Sequence, residues 1–265
     1  MLVDTHIHLD AREFEENRNV VMQNARNAGV HVFVVPAVAP ANFSALDRLA
    51  STYHDVAPAF GIHPMYVDAQ KDDALDAVRA RLERGGAVAV GEIGLDFYVE
   101  GLDRARMERF YVQQLELARD FDLPVLLHVR RAQDAVLKQL RYYRPRGGIA
   151  HAFNGSIQQA EAFIGLGFKL GFGGAMTYAG SKRVRHLAAT LPLESIVLET
   201  DGPDIPPAWR SQGPSLPEEI RRYAQIIADL RGLELDAVIQ QTGANAVAAL
   251  SGLARYLQAG TDSPQ

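Results

Sequence analysis

The 265-residue chain is 48% hydrophobic and 22% charged, the balance of an ordinary globular protein, and it has no run of about 18 apolar residues that would span a bilayer. Its 27 basic and 32 acidic side chains give a net charge of -5, which argues against broad electrostatic adhesion to nucleic acid but allows a local cationic cleft or a bound cation to reverse the field. Cysteine is absent, so no disulfide framework exists, any metal must be held by His, Asp and Glu, and a cytoplasmic location is expected.

In chain order, the first apolar run is LVDTHIH (2–8), with His6 and His8 one residue apart. It reaches the acidic Asp4 with no basic segment leading into a long apolar stretch, so it does not fit a signal peptide. Side chains two apart on a strand share a face. The two imidazoles therefore either converge on one atom, as a metal requires, or line the wet face of an edge strand. Further β-rich runs follow at HVFVVPAV (31–38), VAPAFGIH (56–63), AVAVGEIGL (87–95), PVLLHV (124–129), GGIAHAF (147–153), FKLGFGG (168–174) and SIVLETD (195–201). The chain between them suffices for a helix and two short loops each time. Between the fourth and fifth runs Met107, Phe110, Tyr111, Leu115 and Ala118 form the apolar stripe of an amphipathic helix. Ser156 with Gln159, and Ser215 with Glu218, have capping-box spacing and predict two helix starts. A proline-rich segment over 202–214 then leads into helix, with a break near Gly243 and a frayed tail over 260–265.

Eight strand-helix alternations fit a closed barrel or an open doubly wound sheet, and no GxGxxG turn follows the first run to favour the dinucleotide-binding form of the latter. The expected fold is α/β, a TIM-type (β/α)8 barrel with extra C-terminal helices, forming one domain over 1–265. Chemistry in such a barrel gathers where the strands end. Five of the eight histidines end runs, namely His6, His8, His63, His128 and His151, while Glu92 lies in the fourth run and Glu199 and Asp201 end the eighth. One or two buried imidazoles would read as hydrogen-bonded core residues. This many, with carboxylates among them, would be costly to desolvate unless cations compensated them, so a metal-binding rim is expected.

DTHIHLD, GIHP, GEIGLDFY, LPVLLHVRR, HAFNGS and ETDGP stand in the order and approximate spacing of the TatD family of metal-dependent deoxyribonucleases, which the chain resembles from Val3 to about Leu250. LHVRR and GGAMTY look most similar to the YjjV-like branch of that family, itself one of the amidohydrolase-like metal hydrolase barrels. The resemblance implies a deoxyribonuclease acting from a strand end, with two divalent cations drawn from Zn, Mn, Mg, Fe, Co or Ni. It implies one cation on His6, His8, Glu92 and Asp201 and the other on Glu92, His128 and His151. Glu92 would bridge them, consistent with its place on a strand between the two histidine groups. The catalytic roles fall on Glu92 and on Asp201, which would also accept the proton of the attacking water.

Arg130 lies two residues after His128 and is expected on the same rim, either in contact with substrate phosphate or in a barrel-mouth salt bridge. His63 is expected to contact a phosphate, orient a ligand or hold the proline turn. Glu199 is expected to share a strand face with Asp201 and accept a hydrogen bond from a ligand imidazole. Asp96 and Tyr98 either line the pocket or stabilise their loop, and Asn154 and Ser156 fit turn and cap chemistry. Two departures from the family pattern are Arg131, where many members carry an acid, and Pro214-Ser215, where a basic residue and N-x-P are common. The second weakens the transfer of nucleic-acid specificity. A hydrolase of a small ester, amide or phosphoester on the same barrel is the main alternative, and a non-catalytic metal-binding scaffold is a third. The expected partner is DNA or a small phosphoester, with no membrane and no obligate protein partner.

Overall fold

A computed structural model describes residues 1–258 of the chain, and the tail expected over 260–265 lies outside the described residues. The β-branched and apolar runs form eight strands: β1 (Leu2–Asp4), β2 (Val30–Pro36), β3 (Val56–Ala59), β4 (Val90–Asp96), β5 (Val125–Arg130), β6 (Gly148–Ala150), β7 (Phe168–Phe172) and β8 (Ile196–Leu198). The α-helices between them are α1 (Arg18–Asn27), α2 (Phe43–Thr52), α3 (Ala74–Glu83), α4 (Arg104–Asp120), α5 (Gln133–Tyr143), α6 (Ile157–Gly165) and α7 (Lys182–Thr190). All neighbouring strands pair parallel, in chain order, as ladders β1 to β3 and β4 to β8. A bridge between Phe60 and Val90 joins the two ladders on one side. On the other, Thr5 N donates to Leu198 O at 3.1 Å. The ring is thereby closed as the expected TIM-type barrel, followed by α8 (Ile220–Arg231), α9 (Leu235–Ala249) and α10 (Ala254–Gln258).

Alternation along the strands sorts the core into two layers. Val32 and Val34 of β2 pack with Ala57, Leu126, Ile149 and Val197 inside the ring, whereas Phe33 and Val35 belong to the larger core shared with the helices. Ala246, Leu250 and Leu253 complete the inner cluster, so α9 and the turn after it plug the amino end of the barrel. Loops at the carboxyl end are left to build a site. No helix among the described residues is long and apolar enough to cross a membrane.

The stripe from Met107 to Ala118 is buried along α4, and Ser156 and Gln159 form the predicted capping box at α6. Three expectations need correction. Ser215 caps no helix: it is buried, its Oγ donates to Thr200 O at 2.9 Å, and helical turns begin only at Pro217. The C-terminal helix breaks not at Gly243 but at Gly232, whose φ of 64° ends α8 in the left-handed conformation. Gly243 lies inside α9 because a Cβ there would collide with the Met1 carbonyl oxygen. Finally, β1, β3, β6 and β8 stop before their apolar runs do, so His6, His8, His63, His151, Glu199 and Asp201 stand past the ladder rather than in it.

Replacing a helical glycine by alanine ordinarily stabilises by about 1 kcal/mol. Gly243→Ala is expected to lower the thermal midpoint instead, because overpacking against the first residue costs about 1–3 kcal/mol. A raised midpoint in a thermal denaturation scan would contradict this contact.

Candidate metal centre

The strand ends converge on Glu92, a carboxylate on β4 that is only 1% exposed. Its Oε2 faces His6 Nε2 at 3.1 Å and His8 Nε2 at 3.5 Å, and its Oε1 faces His151 Nε2 at 2.8 Å, His128 Nδ1 at 3.0 Å and His63 Nε2 at 3.3 Å. Asp201 Oδ1 lies 3.7 Å from His6 Nε2 and 3.8 Å from His8 Nε2. His6 and His8 do meet, but not through strand alternation. The segment past β1 is threaded between its neighbours: Ile7 N donates to Val34 O, His8 N to Gly202 O, and Asp201 N to His6 O. Asp201 has φ 52°, so it does not share a strand face with Glu199.

Ring nitrogens crowd this cluster. His63 Nε2 and His151 Nε2 approach His128 Nδ1 at 3.1 and 3.4 Å, contacts in which one nitrogen donates a proton and the other accepts it. The rings of His6 and His151 stack 3.9 Å apart. Three groups have ligand atoms within 4.8 Å of one another: His6, Glu92 and His151; His6, His8 and Asp201; His63, Glu92 and His128. Imidazole and carboxylate gathered this tightly suit a divalent cation of the Zn or Mn kind, so the donor set fits a resident metal. The ionisation of His6 and Glu92 agrees with that. Burial, with help from His151, lowers His6 to about 3. Burial would raise Glu92, but His63, His151 and His6 outweigh it and hold the carboxyl well below its usual range. A neutral imidazole and an ionised carboxylate are the forms that ligate. Burial would lower His151 and His128, but Glu92 and Asp201 push the first up to about 10, and Asp96 and Glu92 push the second up, so without a cation these two imidazoles carry the positive charge that Glu92 requires.

Around this cluster, Asp96 stabilises its loop by accepting the Tyr98 and Val99 amides on Oδ1 at 2.8 and 3.0 Å, and its Oδ2 lies 3.0 Å from His128 Nε2. Glu199 departs from expectation. His151 Nδ1 is 4.0 Å from its Oε1, too long for a hydrogen bond, and that oxygen accepts the Ala152 amide instead. Gly171 makes room for this carboxylate, since a Cβ there would collide with it. Asn154 is more than a turn residue, because its Oδ1 accepts from Nε and Nη2 of Arg183 at 3.0 and 2.7 Å. Arg130 makes no salt bridge among the described residues; its guanidinium carbon sits 3.7 Å from the centre of the Tyr98 ring. Sequence reasoning missed Asp4, whose only signal is its place two residues before His6. It is fully buried, accepts the His6 and Thr200 amides at 3.3 and 3.0 Å and also the Thr200 hydroxyl, and so ties the end of β1 to the end of β8.

The centre opens into a cavity of about 1350 Å³ lined by loops that follow every strand. His8, His63, Glu92, His128, His151 and Asp201 all border it, as do Tyr98, Arg130 and Arg131.

Comparison with known proteins places this geometry. The family model described as TatD related DNase matches residues 3–251. The chain is 39% identical over 241 residues to the uncharacterized metal-dependent hydrolase YjjV of Escherichia coli K12, covering 90% of this chain and 93% of that one. The crystal structure of the E. coli YjjV protein, a TatD homologue, superposes with a TM-score of 0.91 at 37% identity, over 94% of this chain and 98% of that one. The human deoxyribonuclease TATDN3 is 29% identical over 270 residues, with 97% of each chain covered.

Thr200→Val removes the hydroxyl donor from buried Asp4 while keeping shape. Burial raises Asp4 to about 7, so the bond counts as an ordinary buried hydrogen bond of about 0.5–1.5 kcal/mol, and chemical denaturation is expected to show a loss of that order. Unchanged stability would mean that the bond contributes nothing to holding the two strand ends together.

Proposed function

The chain belongs to the TatD-related DNase family and is a metal-dependent hydrolase, and from that premise we propose that it cleaves phosphodiester bonds of DNA, working from a strand end, in the cytoplasm. The observation that carries this reading is Glu92, whose two oxygens face two separate sets of imidazoles. One divalent cation would be held by His6, His8, Glu92 and Asp201 and a second by Glu92, His128 and His151, the barrel and its C-terminal helices acting as one hydrolase unit. Bound there, the pair supplies Lewis acidity for the phosphoryl oxygen, the attacking water and the leaving oxygen.

The protein's own groups do the rest. Asp201 turns Oδ1 toward His6 and His8, which leaves its other oxygen to accept the proton as water bonds to phosphorus and one ester bond breaks. The Asp201–His6 backbone hydrogen bond, 2.8 Å long, fixes that carboxylate against the floor of the cavity. Arg130, stacked on Tyr98 rather than paired with an acid, contacts a phosphate oxygen. His63, 3.1 Å from His128, is placed to meet the phosphoryl group beside it. Glu199 positions the Ala152 backbone next to His151. Asp10, Glu13 and Asp204 on the cavity wall favour a second reading, a smaller and less anionic ester, amide or phosphoester substrate.

Asp201→Asn is expected to keep the fold and much of the metal while turnover falls about 10²–10⁴-fold, the scale of general-base catalysis. Near wild-type turnover would defeat its assignment as the base. Hydrolysis of single-stranded DNA, RNA and small esters by the metal-replete protein separates the two readings: turnover confined to the small esters would overturn the deoxyribonuclease.

A further inference from the structure

The arginine pair at the end of β5 has a construction that hydrolysis at the metal centre does not require. Consecutive residues on a strand point to opposite faces, so Arg131 would be expected to turn away from Arg130. Instead Arg131 takes φ 54°, in the left-handed region that side chains other than glycine adopt at a cost. That turn brings both guanidiniums over one ring: their central carbons lie 3.7 and 4.7 Å from the centre of Tyr98, which is 46% exposed. Arg26, Arg81 and Arg106 each pair with an aspartate. Among the described residues, Arg130 and Arg131 meet no carboxylate, and both border the cavity. Two exposed guanidiniums gathered on one aromatic face, the second brought in by a strained residue, present a paired cationic surface that suits an anion.

The platform is anchored to the centre without belonging to it. Asp96 holds the Tyr98 amide with one oxygen and meets His128 with the other. Arg183, held by Asn154, adds a cation to the same cavity, whereas Asp10, Glu13 and Asp204 give other parts of its wall the opposite sign.

We propose that Tyr98, Arg130 and Arg131 form a second phosphate subsite, which binds the phosphate one nucleotide away from the bond being cut. The proposal rests on the deoxyribonuclease reading and narrows it. The preferred substrate carries at least two backbone phosphates, and the strand enters over β4 and β5.

The test uses the full chain with its resident metal and slowly cleaved phosphorothioate thymidine oligomers carrying a fluorophore, with binding followed by anisotropy across a salt series. For the wild type, going from one phosphorothioate linkage to two should tighten binding about 10-fold and steepen the salt dependence by about 0.7, the slope for one further single-strand phosphate contact. Arg131→Gln and Tyr98→Ala should each abolish that gain, while Tyr98→Phe, which keeps the ring, should retain it. A role confined to loop structure would shift affinity for both oligomers alike and leave the gain. Loss of the gain only in the two disruptive variants supports the subsite. A gain that survives Arg131→Gln, or is missing from the wild type, overturns it. If the gain behaves as expected but unmodified oligomers are never hydrolysed, the subsite stands and the deoxyribonuclease reading falls.

Discussion

A carboxylate cannot be buried in an ionised state without compensation, and Glu92 is the place where that constraint organises this molecule. Its two oxygens are surrounded by five imidazoles contributed by the ends of β1, β3, β5 and β6 and the segments that follow them. A closed ring of parallel strands gathers residues so far apart in sequence around one atom pair because it brings every strand end to a common rim. The cluster also brings imidazole and carboxylate atoms together in three groups close enough to hold a cation. Fold and donor chemistry therefore lead to the same conclusion from different directions.

The rest of the chain supports that convergence. α9 and the turn beyond it fill the amino end of the barrel with Ala246, Leu250 and Leu253, so solvent and substrate have access at the carboxyl end, where the cavity lies. At the seam between the first and last strands, Asp4 and Thr200 hold the two chain segments that carry His6, His8 and Asp201. A buried acid with three hydrogen-bond donors is a stiff joint. It sets the separation of ligands that the short strands β1 and β8, three residues each, could not fix by ladder bonds.

The sequence was legible wherever one residue type at one spacing had a single physical use. Runs of β-branched residues located all eight strands, the Met107 to Ala118 stripe located a helix, and histidines at run ends marked the rim. It was misleading where tertiary contacts decide. The apolar runs overstate β1, β3, β6 and β8, whose last residues make no ladder pairs, whereas Glu92 and His128 stay within β4 and β5. Ser215 has the spacing of a cap, yet its hydroxyl is taken by the Thr200 carbonyl. Gly243 looks like a helix break but is a point of close approach to Met1. Asp4 leaves only its place two residues before His6, and the bond between Asn154 and Arg183 and the left-handed turn at Arg131 leave no local pattern, because each depends on partners distant in sequence or on a backbone angle that composition does not encode.

Whether Glu92 holds two cations at once, as proposed, is read from metal stoichiometry. Elemental analysis of freshly purified protein should find two divalent ions per chain, with Glu92→Gln losing most of both while the circular dichroism of the barrel is preserved. One ion per chain, or a full complement retained by Glu92→Gln, would contradict the account.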